Sequence, residues 1–224
     1  MIGKILVVGL GQFGMEVARC LAKRGFFVVA VDQEISLVQQ ISKDVEKAVQ
    51  LDSINEEALM TLGLEKMNTA ICAIGEKYLE NSILTTALLK QLGVPTVIAR
   101  AASPLHARIL RLVGAQETLN PEEEMGQRLA VKLSQPGLIE MIPLSKDIAV
   151  SEIKCPTLWS DRMLKDLNLR KNFGVTLLSI KKHKKSQNTP EIIVNPGSED
   201  ILDAQDILLV LGKVSDIDRI TQFH

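Results

Sequence analysis

Apolar and polar positions alternate along the first half of the chain in a way that predicts both the type and the order of its elements. Ile5 to Val8 is an uninterrupted apolar run, the mark of a strand buried on both faces. A glycine-rich turn follows, then a stretch with Val17, Ala18, Leu21 and Ala22 on one helical face, closed by Gly25. Further strands are predicted at 27–31, 48–51, 70–74, 96–101 and 117–119. Helices are predicted between them at 36–42, 55–62, 79–92 and 103–113, with Asn55 and Ser103 as N-caps and Pro104 in a first turn. Strands that alternate with helices through short loops make a parallel sheet covered on both faces.

Beyond Leu133 the alternation stops, and Ser134-Gln135-Pro136-Gly137 reads as a hinge. Shorter strand-like runs follow at 138–142, 149–153, 175–180, 192–194 and 207–211. One helical piece at 163–167, a polar loop and a closing helix at 215–222 complete a small α+β domain with two helices. The domain boundary is therefore expected at 134/135.

Composition narrows the class without choosing a function. With 224 residues, 46% hydrophobic and 24% charged, the chain has the makeup of a folded globular protein, not a disordered one. Lys plus Arg number 26 against 27 Asp plus Glu, so bulk charge points to neither nucleic acid nor an acidic membrane. Cys20, Cys72 and Cys155 stand far apart with no CxxC pair, and two of them read as buried thiols in a reducing compartment. The apolar N-terminus is too short to span a bilayer and lacks the small-residue cleavage site of a secretory signal. A soluble, cytoplasmic protein is expected.

The segment that carries chemistry is Gly9-Leu10-Gly11-Gln12-Phe13-Gly14, which follows a predicted strand and opens a helix. Gly9 makes the tight turn, Gly11 lets a diphosphate approach the backbone, and Gly14 allows close helix–strand packing. The diphosphate then rests on the positive end of the helix. Asp32 ends the second strand roughly 20 residues on, where a carboxylate takes both ribose hydroxyls and disfavours a 2′-phosphate, hence NADP. Ligands in such sheets lie across the carboxyl ends of the strands. That geometry adds Asp52 and Ser53, which either reach an adenine or form only a turn and helix start. It adds Ala73, Ile74 and Gly75, whose backbone can meet phosphates, and Arg100, the only cation at a strand end. The expected fold is α/β: a Rossmann-like doubly wound parallel sheet over 1–134 that binds a nucleotide, followed by a small α+β domain over 135–224.

No catalytic machinery accompanies the glycine turn. His106 lies in a helix beside Leu105 and Ile109 and reads as a surface or packing residue, while His183 stands in a lysine run and His224 ends the sequence. Tyr78 is the only tyrosine, and Ser82 stands where a Tyr-x-x-x-Lys pair needs its lysine. Neither a nucleophile elbow nor a metal-ligand cluster is present. The run Lys181-Lys182-His183-Lys184-Lys185 reads as a solvated hairpin loop, not a nucleic-acid patch. Asn120-Pro121-Glu122-Glu123-Glu124 has two readings. One is a capped helix start with acids complementing its dipole; the other is a carboxylate that meets its mate across a two-fold axis on a divalent cation.

Taken together, these residues resemble the RCK family, the regulators of potassium conductance, and within it the Ktr/Trk-type cytosolic subunits built from TrkA-N and TrkA-C domains. The resemblance covers nearly the whole chain. It rests on residues 9–14, Ala30-Val31-Asp32, Leu51-Asp52-Ser53, Asn55-Glu56-Glu57, Ala73-Ile74-Gly75, the helix around Leu84 to Leu89, Val113-Gly114-Ala115, Asn120-Pro121-Glu122 and the run from Asp206 to Gly212. It implies a non-enzymatic gating subunit whose adenine nucleotide, ATP/ADP or NAD/NADH, sets its shape. It further implies a homodimer that assembles into an octameric ring on a membrane potassium transporter subunit, peripheral to the inner face of the plasma membrane. Glu122 would be a ligand of a divalent cation at the dimer interface, and in some relatives the second domain binds a cyclic dinucleotide or another small effector. One position departs from the pattern: relatives that sense ATP commonly carry Arg where this chain has Gln12. The competing expectation is an NAD-dependent oxidoreductase. It needs an acid–base residue near Gly75 and Arg100, and the sequence offers none there.

Overall fold

The structure, a computed structural model, describes residues 3–182 and 191–222. The chain divides into two compact units, residues 1–124 and 125–224.

The first unit is built on strands β1 (Lys4–Val8), β2 (Phe27–Asp32), β3 (Lys47–Gln50), β4 (Thr69–Cys72), β5 (Thr96–Arg100) and β6 (Glu117–Leu119). All pair in parallel, in the order β3-β2-β1-β4-β5-β6. The connecting helices are α1 (Gln12–Lys23), α2 (Ile35–Ile41), α3 (Glu56–Met60), α4 (Leu79–Gln91) and α5 (Pro104–Leu112). Successive residues of a strand point to opposite faces, so an apolar run with no alternation needs a core on each side. That is what β1 meets. Ile5 and Val7 join Met15 and Ala18 of α1 and Val38 and Ile41 of α2. Leu6 and Val8 join Leu59 of α3 and Leu89 of α4. Burying each such side chain contributes about 1.5–3 kcal/mol, which is why the sheet forms in this register and no other. The unit is a Rossmann-like doubly wound sheet.

From β1 the chain steps outward through β2 and β3, then returns to place β4 on the opposite side of β1. The loops that leave β1 and β4 therefore diverge, and a crevice opens between them at the carboxyl ends of the strands.

Helix α6 (Pro121–Ser134) starts at the junction of the units and buries none of its residues. The division falls at 124/125, so most of α6 goes with the second unit, whereas the sequence pattern places the break after the helix. Strands β7 (Leu138–Pro143), β8 (Ile148–Lys154), β9 (Val175–Lys182), β10 (Glu191–Val194) and β11 (Ile207–Lys213) form an antiparallel sheet in the order β10-β9-β11-β8-β7. Ala149, Ile153, Ile180, Leu208 and Val210 from one face pack with Trp159, Leu167 and Ile217. The rings of Trp159 and Phe173 meet edge to face with centroids 4.9 Å apart.

Among its described residues this unit also holds α7 (Leu164–Leu167), α8 (Leu169–Phe173) and α9 (Val214–Thr221), of which α8 is not predicted by the sequence. The extra helix is five residues long and is separated from α7 by Asn168 in the left-handed region, φ +46°. Five residues are too few to display a helical period. Lys181 pairs with Glu152, and the Lys182 ammonium donates to the Ile201 carbonyl at 2.7 Å. The rest of the lysine run, with His183, and also His224 lie outside the described residues. Cys72 and Cys155 are buried and Cys20 is exposed; burial pushes the Cys72 thiol up and, with neighbouring carboxylates, the Cys155 thiol to about 12.

A cleft at the carboxyl ends of the parallel sheet

The glycine turn is shaped by two close approaches and one opening. Gly9 has φ +92°, and a Cβ there would stand 3.0 Å from the Ile74 nitrogen. A Cβ on Gly14 would come within 1.9 Å of the Gly9 carbonyl oxygen, so only glycine lets the first turn of α1 settle on the loop. Gly11 is different: nothing lies within 4 Å of where its Cβ would be. Open space stands over that peptide, and no side chain caps the first amides of α1.

A cavity of about 370 Å³ occupies this position. Gly9 and Gly11 line its middle, Asp32, Glu34, Asp52 and Ser53 the side of β2 and β3, and Ala73, Ile74, Gly75, Lys77, Tyr78 and Arg100 the side of β4 and β5. Asp32 is anchored, not free. Its Oδ2 accepts the Leu10 N–H at 2.6 Å and its Oδ1 the Glu34 N–H at 2.8 Å, which ties the glycine turn to the end of β2. Each oxygen keeps a further lone pair for a hydroxyl donor. Asp52 Oδ1 accepts the Ile54 N–H at 3.2 Å. The buried Ser53 hydroxyl lies 2.7 Å from that of Thr85, which joins the end of β3 to α4. Arg100 is ion-paired with Glu122, and its Nη1 stands 3.3 Å from where a Gly75 Cβ would be.

Nine of the sequence-selected residues thus share one cleft, and three do not line it. Gln12 is exposed on α1, Phe13 packs against the core face under α1 and α2, and Gly14 acts from beneath the turn.

Arg100 ends β5, and a second cation, Lys77, lines the same cleft from beyond the end of β4. One expectation needs correction: an acid–base side chain does stand on the side of Gly75 and Arg100, because Tyr78 lines the cleft there too. Both Lys77 and Tyr78 sit in the 3₁₀ turn Glu76–Tyr78, which follows Gly75 directly. The available signal was that the loop after β4 flanks the switch point and continues past Gly75. The Lys77 ammonium stands over the Tyr78 ring, 5.5 Å from its centroid.

At the start of α6, Asn120 Oδ1 accepts the Glu123 N–H at 3.2 Å, and its Nδ2 donates to the Glu123 carboxylate at 3.1 Å. The capped-helix reading therefore describes Asn120 and Glu123, while the Glu122 carboxylate turns to Arg100. Among the described residues no group of three or more His, Cys, Asp and Glu side chains could hold a metal ion. His106 is 4% exposed, accepts the Ala102 N–H on Nδ1 at 3.2 Å, and is held below its ordinary pKa by burial.

Comparison with known proteins agrees with this geometry. The TrkA-N domain family matches residues 5–121 and the TrkA-C domain family residues 150–224. Ktr system potassium uptake protein C of Bacillus subtilis (strain 168) is 34% identical over 213 residues, 95% of this chain and 93% of its own length. Protein A of the same system and strain is 33% identical with the same coverage. Among solved structures, the GsuK channel superposes with a TM-score of 0.69 at 18% identity, over 100% of this chain and 39% of that one. The GsuK channel bound to NAD gives 0.64 at 18% identity with the same coverage. At that identity the likeness is one of fold, and this chain spans about two fifths of the channel. The domain matches and the two potassium uptake relatives agree: this chain belongs to the TrkA-N/TrkA-C domain family that includes the Ktr system potassium uptake proteins.

Proposed function

We propose that this protein is the nucleotide-binding regulatory subunit of a potassium uptake system, and that it gates a membrane transporter through a change of shape. The observation that carries the reading is the open space over Gly11, set between the anchored carboxylate of Asp32 and the guanidinium of Arg100. Those groups suit an adenine nucleotide, ATP/ADP or NAD/NADH. Asp32 takes ribose hydroxyls, Asp52 and Ser53 reach the adenine, and the turn with Ala73, Ile74 and Gly75 receives the diphosphate. A ligand shifts a two-state protein only by its difference in affinity for the two states, so nucleotide identity becomes conformation without any bond being broken.

Among the described residues no helix is long and apolar enough to cross a membrane. In this reading the ion pathway belongs to a membrane partner, and the subunit docks at the cytoplasmic face as a homodimer assembled into an octameric ring. A divalent cation at the dimer interface would use Glu122, whose Oε1 is the oxygen paired with Arg100.

Denaturing the purified protein and identifying the released nucleotide by mass spectrometry tests the ligand. Light scattering tests the assembly, and potassium uptake at low external potassium in a deletion strain tests the role. A monomer that binds no adenine nucleotide would overturn the reading.

A second reading, an oxidoreductase that transfers hydride to or from NAD, is favoured by one observation: Tyr78 and Lys77 stand on the β4–β5 side of the cleft. It requires NADH turnover that Tyr78→Phe abolishes.

A further inference from the structure

We infer that Lys77 is the cation that receives the terminal phosphate of the bound nucleotide, supplied by the same subunit that binds its ribose. The inference rests on the adenine-nucleotide reading above and adds a residue to it. Its first support is the charge distribution along the cleft. The strand order sets β2 and β3 on one side of the glycine turn and β4 and β5 on the other. Three carboxylates, Asp32, Glu34 and Asp52, line the first side, and two cations, Lys77 and Arg100, line the second. At about 4.8 Å per strand, β3 to β5 spans roughly 19 Å, enough for an adenosine at one end and a phosphate chain at the other. Carboxylates accept hydroxyls and repel phosphates, so the favourable orientation is fixed. The ribose lies towards Asp32, and the phosphates cross Gly11 towards Lys77 and Arg100.

The second support is what each cation already holds. Arg100 is paired with Glu122, and only 19% of its side chain is exposed. Its charge is thus already partly neutralised before a phosphate arrives, although Nη1 faces Gly75. Lys77 is exposed on its 3₁₀ turn, with its ammonium over the ring of Tyr78. Among the described residues no carboxylate is ion-paired with it, and the adjacent Glu76 does not line the cleft. A compact ammonium on a flexible stem can therefore move onto a phosphate without breaking an ion pair. Gln12, at the start of α1, brings no charge and does not line the cleft.

Calorimetry on the full chain in EDTA, with AMP, ADP and ATP, tests the inference. Lys77→Gln should weaken ATP and ADP about tenfold, equivalent to about 1.4 kcal/mol, and AMP less than twofold. Lys77→Arg should restore the affinity for both. The melting temperature of the unliganded variants should not move, since the side chain is exposed. Equal loss on all three nucleotides, or no loss on any, would overturn the role of Lys77 while leaving nucleotide binding intact. Wild-type protein that binds none of the three would bring down the underlying reading, and this inference with it.

Discussion

Arg100, the last residue of β5, is ion-paired with Glu122 in the first turn of α6, so a cation that lines the cleft is already matched by a carboxylate from further along the chain. The two side chains are 19% and 65% exposed. A pair that open to solvent adds about 0–1 kcal/mol to stability, and its interest lies in competition. A phosphate that reaches Arg100 meets a guanidinium whose Nη2 is already paired with Glu122, so the two anions compete for one positive charge.

Glu122→Gln should therefore bind ATP and ADP two- to fivefold more tightly than wild type when calorimetry is done in EDTA, with little change in melting temperature. If Glu122 also serves a divalent cation, adding magnesium should reverse the sign, because the wild type alone would gain from it. A variant that loses affinity in EDTA would show that the pair supports binding instead of opposing it.

The glycines of the turn should separate stability from binding. Gly14→Ala forces a Cβ to within 1.9 Å of a backbone oxygen, and the unliganded protein should lose about 1–3 kcal/mol or more. Gly11→Ala meets nothing within 4 Å and should melt as wild type does, while nucleotide affinity falls because the methyl group enters the open space. Thermal unfolding with and without ADP reads both effects. Equal melting temperatures for Gly14→Ala and wild type would contradict the packing described.

Asp32→Ala should fail twice. Without nucleotide it leaves the Leu10 and Glu34 N–H groups without their acceptor, a loss of about 1–3 kcal/mol where the group is shielded from water. With nucleotide at a hundredfold excess over Kd, wild type should gain about 2.7 kcal/mol, a melting shift on the order of 5–10 °C, and the variant almost none. Scanning fluorimetry with ATP, ADP, NAD and NADH measures the two effects separately.

His106 should make stability depend on acid. Burial holds its imidazole below the usual value of about 6.5, so as pH falls the unfolded chain takes up the proton first. Stability is then full above about pH 6.5, declines below it, and levels off once the pH passes below the folded-state value. Protonation at Nδ1 would also cost the bond from the Ala102 N–H, two residues after Arg100. Urea midpoints between pH 8 and pH 5 should slope less in His106→Gln. Parallel profiles for the two proteins would remove His106 from the account.

The alternation of elements, the two-sided burial of β1 and the turn and packing roles of Gly9 and Gly14 were legible in the sequence because each is written in residues close along the chain. An apolar run needs two cores wherever it is placed, and a glycine at a tight turn is required by its own φ and by a neighbour five residues away. Ser103 and Asn55 were legible as caps for the same reason: each accepts an amide three residues on.

Other features had no local signature. Helix α8 is shorter than the period that would reveal it, and α6 buries no residue that could mark which unit it joins. The bond between Ser53 and Thr85 spans 32 residues, and the pairing of Arg100 with Glu122 spans 22. Lys77 and Tyr78 lie beyond their strand, in a turn that lines the cleft only once the sheet is complete. The sequence by itself determined where the backbone lies open above the glycine turn, since that is a matter of turn geometry and helix ends. Which charges flank that opening was decided by the tertiary structure, because strand order and loop path bring together groups that share no neighbourhood along the chain.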